Sequence, residues 1–315
     1  MSGPNLVPVR EALRLDEAAL SAYLTGRLPE LDPADLRILQ FAGGQSNPTY
    51  LLESAGRAYV LRKKPPGKLL PSAHMVEREY RFIAGLADSD VPVPRAYLLC
   101  EDTDVIGTAF YVMDYVEGRV LTDPLLPGLS PAARGATYDE LNRVMAALHK
   151  VDFAAAGLSD MGKTSDYLAR QISRWSRQYE ASKTHEIPAM DKLIAWLGAN
   201  IPADDSVSIV HGDFRLANVI FHPTEPKILA VLDWELATLG HPLGDFAYNA
   251  MFYSLPAGDE GFPGLGGADL AGLGVPGEDE YVAAYCRRTG RDHIDNWAFY
   301  KAFAMFRLSA ILQGV

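Results

Sequence analysis

Two short apolar runs, SIVHGD and ILAVLDWE, each deliver a carboxylate, Asp213 and Asp233, at the end of what reads as a strand. The first continues as HGDFRLANVIF, His211 to Phe221, so an amide, Asn218, follows Asp213 five residues on. No other feature constrains the fold as much, because strand ends hold their side chains rigidly and Gly212 lets the backbone turn so that Asp213 projects. Asp213 can accept a hydrogen bond from a hydroxyl and take its proton. Asn218 and Asp233 offer oxygen ligands to a hard divalent cation such as magnesium. A lone His-x-Asp is usually an ordinary turn between strands. The Asn in register and the acid downstream count against that here. Arg215, two residues past Asp213, is either a group that steadies transferred charge or a surface residue. Trp234 is expected to pack beneath Asp233, and Glu235 is more often structural than an auxiliary acid. Asp245 reads as an N-cap bracing the His211 segment rather than as a ligand.

The composition is that of an ordinary globular chain, 315 residues long, with 29 basic against 40 acidic residues and a formal charge of −11. That balance excludes nucleic acid and an anionic membrane as bulk partners, but not an anionic ligand in a local basic pocket. Cys100 and Cys286 are too few for a disulfide framework and lack metal-ligand spacing. No basic leader followed by an apolar run opens the chain and no stretch reaches membrane-spanning length, so a cytoplasmic location is expected. The last helical pattern runs to Val315 without a cap, and the natural chain is expected to continue.

Organisation changes along the chain. A helix near Asp16 to Leu28 precedes a first strand in the Gly-bearing FAGGQSNPTYLLES, then the strand-like AYVLRKK, stopped by Pro65 and Pro66. A helix over Ala73 to Ala87 and two strands, in VPVPRAYLLC and GTAFYVMDYV, complete a sheet-rich lobe, residues 1–114. Residues 115–315 form a lobe of amphipathic helices, at Thr137 to His149, Ser165 to Lys183, Met190 to Asn200, Asp245 to Tyr253, Glu278 to Arg288 and from Asn296 on. The stretch Pro256 to Glu280 reads as a loop or lid. The fold class is α+β, with a small antiparallel sheet carrying one helix and a larger, mainly helical part.

The sheet-rich lobe carries a candidate nucleotide site. In AYVLRKK, alternation sets Ala58, Val60 and Arg62 on one face and Tyr59, Leu61 and Lys63 on the other. Arg62 can grip phosphates bidentately with Val60 against a base, and Lys63 is the competing clamp. On the helix that follows, Glu79 falls inside the apolar arc of Met75, Val76, Tyr80, Phe82, Ile83 and Leu86. A carboxylate facing a core needs a cation, and Arg62 is the natural one. Gly43 and Gly44 offer amides to phosphates, with Ser46 and Asn47 adding polar contacts. The backbone near Asp114 to Val116 is placed to meet an adenine edge. Together these parts suit transfer of the γ-phosphoryl of ATP, with Mg2+, to the hydroxyl of a small molecule.

The segments GGQSN, YVLRK, Glu79, VMDYVEG, HGDFRLAN, LDWE and GDFAYN together resemble the aminoglycoside phosphotransferase family, a branch of the protein-kinase-like two-lobed fold, from about Phe41 to Tyr253. Within it, VLRKKPPG and RQISRWSRQY look like the kinase domains associated with acyl-CoA dehydrogenases. The resemblance implies a hydroxyacyl-CoA or related hydroxy metabolite as acceptor, with an aminoglycoside as the alternative. Arg170, Arg174 and Arg177 form a helical stripe that suits phosphates or simply faces solvent. A nucleotide-binding pseudokinase is the reading from another class, and it expects loss of the base or a metal ligand. A protein kinase is disfavoured because no APE-like segment follows DWE.

Overall fold

A computed structural model of the chain describes residues 5–42, 47–67, 74–258 and 261–314. The chain divides into two compact units, Met1–Arg119 with Leu229–Glu235 and Val120–Ile228 with Leu236–Val315.

In the first unit six strands form an antiparallel sheet: β1 (Leu6–Val7), β2 (Arg37–Phe41), β3 (Thr49–Ser54), β4 (Arg57–Lys63), β5 (Ala96–Cys100) and β6 (Phe110–Asp114). Their spatial order is β1-β2-β3-β4-β6-β5. Register places Leu61 opposite both Tyr50 and Val112, and Arg62 opposite Thr49 and Tyr111. Alternation then decides what each face carries. Tyr50, Leu52, Tyr59, Leu61, Phe110 and Val112 pack with Leu20 and Leu24 of α1 (Glu17–Leu24) into an apolar core. Arg62 therefore belongs to the other face. The helix α2 (Val76–Gly85) packs against β5 and β6 and buries Val76, Glu79, Phe82 and Ile83. A short α3 (Thr103–Ile106) joins β5 to β6.

The sheet has two strands more than the sequence pattern promises. A two-residue strand such as β1 carries no periodicity. β2, RILQF, follows the short helical turn Pro33–Asp35 and reads as its extension. Helix α2 is also shorter than its apolar pattern, since Leu86 already serves as its C-cap.

The second unit is mainly helical. It contains α4 (Pro131–Lys150), α5 (Tyr167–Ser182) and α6 (Pro188–Ala199), then the short strands β7 (Ser208–Val210) and β8 (Val219–Phe221). After β9 (Ile228–Val231), the chain returns with β10 (Thr238–Gly240), α7 (Pro242–Ala250), α8 (Leu270–Leu273), α9 (Glu278–Thr289) and α10 (Trp297–Gln313). Helix α4 begins earlier than its apolar pattern because Ser130 caps it, accepting from Ala133 N, and Pro131 fits the first turn. β10 runs antiparallel to β7, with Leu239 opposite Ile209. Every residue of α7 is buried, against α10 and β7, so this helix is the centre of the unit. Both cysteines are free and buried. Among the described residues no helix is long and apolar enough to cross a membrane.

The division at residue 114 expected from composition leaves the segment carrying Asp233 with the helices. Its contacts instead attach Leu229–Glu235 to the sheet-rich unit. Val231 N donates to Pro92 O at 2.8 Å. Fully buried Trp234 stacks on Phe82, with centroids 6.1 Å apart, and its indole donates to Val231 O at 3.0 Å. Because Trp234 supplies both the packing and the turn hydrogen bond, Trp234→Ala is expected to cost about 3–5 kcal/mol of stability. Urea denaturation measures the loss, and a change under about 1 kcal/mol would mean that this anchor is dispensable.

Candidate active site

The helical unit holds the His211–Asn218 segment. After β7 the backbone turns at Gly212, whose φ is +85°. A Cβ there would lie 2.9 Å from Leu236 Cβ and 3.0 Å from Leu236 O, so both the conformation and the space call for glycine. Asp213 emerges from this turn with its side chain 19% exposed. Its Oδ2 accepts from Asn218 Nδ2 at 2.7 Å and from Arg215 Nε at 3.2 Å. Asn218 Nδ2 also donates to Asp213 O at 2.8 Å, so the amide oxygen faces away from these bonds. The sequence interval of five residues becomes one turn of 3-10 helix, Leu216–Asn218, folded back on the acid.

The turn is held from below by α7. Asp245 Oδ2 accepts from His211 N at 2.7 Å and Oδ1 from Gly212 N at 2.8 Å. His149 Nε2 lies 3.3 Å from Asp245 Oδ2, and with that nitrogen donating, His149 Nδ1 accepts from the Tyr285 hydroxyl at 2.7 Å. One helical turn on, Asn249 Nδ2 donates to Phe214 O at 3.1 Å while its Oδ1 accepts from the Tyr281 hydroxyl at 2.7 Å. Asp245 thus braces the segment as expected, but it is not an N-cap. His241 caps α7 through a bond from Leu243 N, and Asp245 stands inside the first turn. Burial opposes the charge on Asp245, yet bonds from His149 and His211 hold its carboxyl below the ordinary carboxylate range. Asn249, Tyr281 and Tyr285 escape sequence reading because each looks like an ordinary residue on an apolar helix. The Asp245–Asn249 spacing of one turn was their only signal.

The sheet-rich unit holds the second group. Arg62 Nε lies 3.3 Å from Glu79 Oε2 and Arg62 Nη2 lies 3.4 Å from Asp233 Oδ1. Glu79 is 1% exposed and also accepts from the Tyr111 hydroxyl at 3.0 Å and from Asn47 Nδ2. His74 Nδ1 in turn lies 3.1 Å from Asn47 Oδ1. Burial works against the Arg62 charge, but Tyr111, Glu79 and Asp233 outweigh it and raise the guanidinium pKa. Burial raises the Glu79 carboxyl, with Arg62 pulling the other way. The structure brings Arg62, not Lys63, to Glu79. Lys63 lies on the opposite face of β4 with its pKa lowered by burial. Asp233 has a φ of +65°, a conformation unusual outside glycine, and its side chain is 36% exposed.

Val60 is buried opposite Met113, on the Arg62 face of the sheet. Asp114 ends β6 with its carboxylate bonded to the Tyr97 hydroxyl at 2.6 Å, and Val116 follows, half-buried. Gly43, Gly44 and Ser46 lie outside the described residues. In the helical unit a cavity of about 40 Å³ opens beside Arg215, lined mostly by aromatic and apolar groups, among them Tyr138, Leu141, Phe252, Tyr253 and Tyr281, with Thr122 and Asn249 adding polar side chains. Sequence patterning gave no sign of it, since its walls come from six separate segments.

Comparisons with known proteins bear on this arrangement. The model of the phosphotransferase enzyme family matches residues 37–303. Acyl-CoA dehydrogenase family member 10 of Mus musculus is 48% identical over 312 residues, which cover 99% of this chain and 29% of that protein. The chain spans between 29% and 41% of the curated relatives it matches. A solved structure from Ralstonia eutropha, described as a candidate aminoglycoside phosphotransferase, is 52% identical with a TM-score of 0.88, covering 96% of this chain and 88% of that one. An aminoglycoside phosphotransferase solved with AMP-PNP and hygromycin B is 17% identical with a TM-score of 0.58, covering 93% and 89% of the two chains. The fold is the two-lobed, protein-kinase-like α+β fold.

The depressed Asp245 pKa fixes the sign of a pH effect. Its contribution is fully present above the unfolded carboxylate value of about 3.9 and is lost as pH falls through the lower folded value. Asp245→Asn is therefore expected to cost on the order of 3 kcal/mol at neutral pH and progressively less as pH falls below about 4. Thermal unfolding of both proteins across that range tests it, and a pH-independent difference would argue against a charged Asp245.

Proposed function

The chain belongs to the phosphotransferase enzyme family, and on that premise we propose that it is an ATP- and magnesium-dependent kinase acting on the hydroxyl of a small molecule. The observation that carries the reading is the Asp213 carboxylate with Oδ2 fixed by Asn218 and Arg215, which holds the group in one orientation for an incoming hydroxyl. The hydroxyl oxygen bonds to the γ-phosphorus, the bond from that phosphorus to the β,γ-bridging oxygen breaks, the proton passes to Asp213, and ADP leaves. Arg215, held against Asp213, limits charge build-up as the transfer proceeds.

Asn218 and Asp233 are the proposed magnesium ligands. The residues fit such a cation. The Asn218 amide nitrogen is committed to Asp213, which turns its oxygen outward, and Asp233 keeps a partly exposed carboxylate. When bound, magnesium supplies charge neutralisation on the phosphates. Arg62 is the proposed phosphate clamp, kept in place by Glu79, which Tyr111 and Asn47 fix in turn. Gly43, Gly44 and Ser46 complete the proposed nucleotide contacts, with Val60, Asp114 and Val116 at the base. Asn47, expected among them from the sequence, is fully buried with its amide on Glu79 and His74 and so supports the Arg62–Glu79 group instead. The AMP-PNP complex of the structural neighbour supports a nucleoside triphosphate as donor.

For the acceptor, the relative named acyl-CoA dehydrogenase family member 10 favours a hydroxyacyl-CoA or similar hydroxy metabolite. The description of the Ralstonia eutropha structure favours an aminoglycoside as the second reading. A regulatory pseudokinase is the weaker alternative, because Asp213, Asn218 and Asp233 are all present.

ADP release measured with hydroxyacyl-CoA esters and aminoglycosides side by side tests the proposal. Asp213→Ala is expected to lower turnover by about 10²–10⁴ with ATP binding intact, and near wild-type turnover would remove Asp213 from its role. Asp233→Ala is expected to weaken magnesium-dependent nucleotide binding instead. An unchanged magnesium requirement in that variant counts against the ligand assignment.

A further inference from the structure

The group around Arg62 ends in a residue to which the proposed function gives no role. His74 stands just before α2, half-buried, with a φ of +57°, in the left-handed region that a residue other than glycine occupies at a cost. The helix does not use its side chain, since the N-cap is Met75 and no side chain caps it. What His74 meets instead is Asn47, with Nδ1 3.1 Å from Oδ1.

The chemistry of Asn47 fixes the direction of that bond. Its amide nitrogen donates to Glu79 Oε1, so the oxygen at the other end can only accept, and His74 Nδ1 is the donor. Asn47 is fully buried, and bulk water does not reach it. Without His74 the amide oxygen is stranded, and turning the amide over sets that oxygen against the Glu79 carboxylate. The Asn47 backbone is held separately, its carbonyl accepting from Thr49 Oγ1 at 3.0 Å, which leaves the side-chain torsion for His74 to set.

The consequences run inward. Asn47 holds Glu79 Oε1, the Tyr111 hydroxyl holds Oε2 at 3.0 Å, and Arg62 Nε lies 3.3 Å from Oε2. Burial pushes the Glu79 carboxyl up, and Arg62 with the bonds from Tyr111 and Asn47 opposes it. Loss of the Asn47 bond therefore weakens the charged form of Glu79 and its hold on the guanidinium, whose Nη2 lies 3.4 Å from Asp233 Oδ1.

We infer that His74 is a positioning residue, which through Asn47 and Glu79 sets the orientation of Arg62. This rests on the kinase reading only where Arg62 is taken to hold phosphates; the chain of contacts from His74 to Arg62 does not.

Two substitutions separate the ring from the backbone. Glycine takes the left-handed conformation freely but has no donor, whereas asparagine tolerates that conformation and carries an N–H on the same Cγ. Two readouts follow them in the full chain: the NMR signal of the Arg62 Nε–H, identified by its absence in Arg62→Lys, and the affinity for AMP-PNP with magnesium by isothermal titration. His74→Gly is expected to shift or broaden the Arg62 signal and to weaken AMP-PNP about three- to tenfold, the size of one lost hydrogen bond. His74→Asn is expected to keep the signal and to stay within about twofold of the unsubstituted protein. Added to Asn47→Ala, His74→Gly is expected to change neither readout further. An Arg62 signal unmoved in His74→Gly, a loss in His74→Asn equal to that in His74→Gly, or an additive loss in the double variant overturns the inference. An Arg62 signal that moves in His74→Gly while AMP-PNP affinity stays unchanged leaves the positioning role standing and counts against Arg62 as the phosphate clamp.

Discussion

A single buried carboxylate organises the helical unit. Asp245 takes two adjacent backbone N–H groups, those of His211 and Gly212, at the point where strand geometry ends and the left-handed turn begins. Those donors have left the ladder of β7 and would otherwise be buried without partners, which is the expensive outcome. Charge-assisted bonds make the anion a better acceptor than any neutral side chain of its size. His149 and Tyr285 then fix the carboxylate itself, so the turn inherits the rigidity of α7 and α4. Everything displayed beyond the turn, Asp213, Arg215 and Asn218, depends on that anchoring.

The sheet-rich unit solves a similar problem with opposite charges in contact. Arg62 and Glu79 are both largely removed from water, and a buried ion pair gains little unless its remaining lone pairs and protons are also used. Tyr111 and Asn47 use those of Glu79, and Asp233 draws the far side of the guanidinium. The group is thus pre-organised with a cation aimed at the more exposed acid. A fork of donors reaches both acids at once, which the single ammonium of a lysine would not do in the same geometry.

Much of this was legible before any coordinates. Asp213, Asn218 and Asp233 stood out through their spacing and their positions after apolar runs, and Glu79 through its place inside an apolar arc. Alternation along β4 separated Arg62 from Lys63, and the packing of α2 against β5 and β6 sets Glu79 against Arg62. The strands β1 and β2 were missed, one too short to show a period and the other masked by the helical turn before it. The cavity beside Arg215 was invisible, since it is defined by residues far apart in sequence.

What the sequence determined by itself was local: the order of strands and helices, the glycine at the turn, and which polar groups sit where apolar ones are expected. These follow from backbone sterics and from the periods of 2 and 3.6, which act over a few residues. Tertiary structure alone decided which buried charges find partners. Asp245 meets two backbone amides, and Glu79 meets Arg62. Desolvation makes each of those outcomes energetically large, and no spacing along a single chain reports which side chains will share a dry interior.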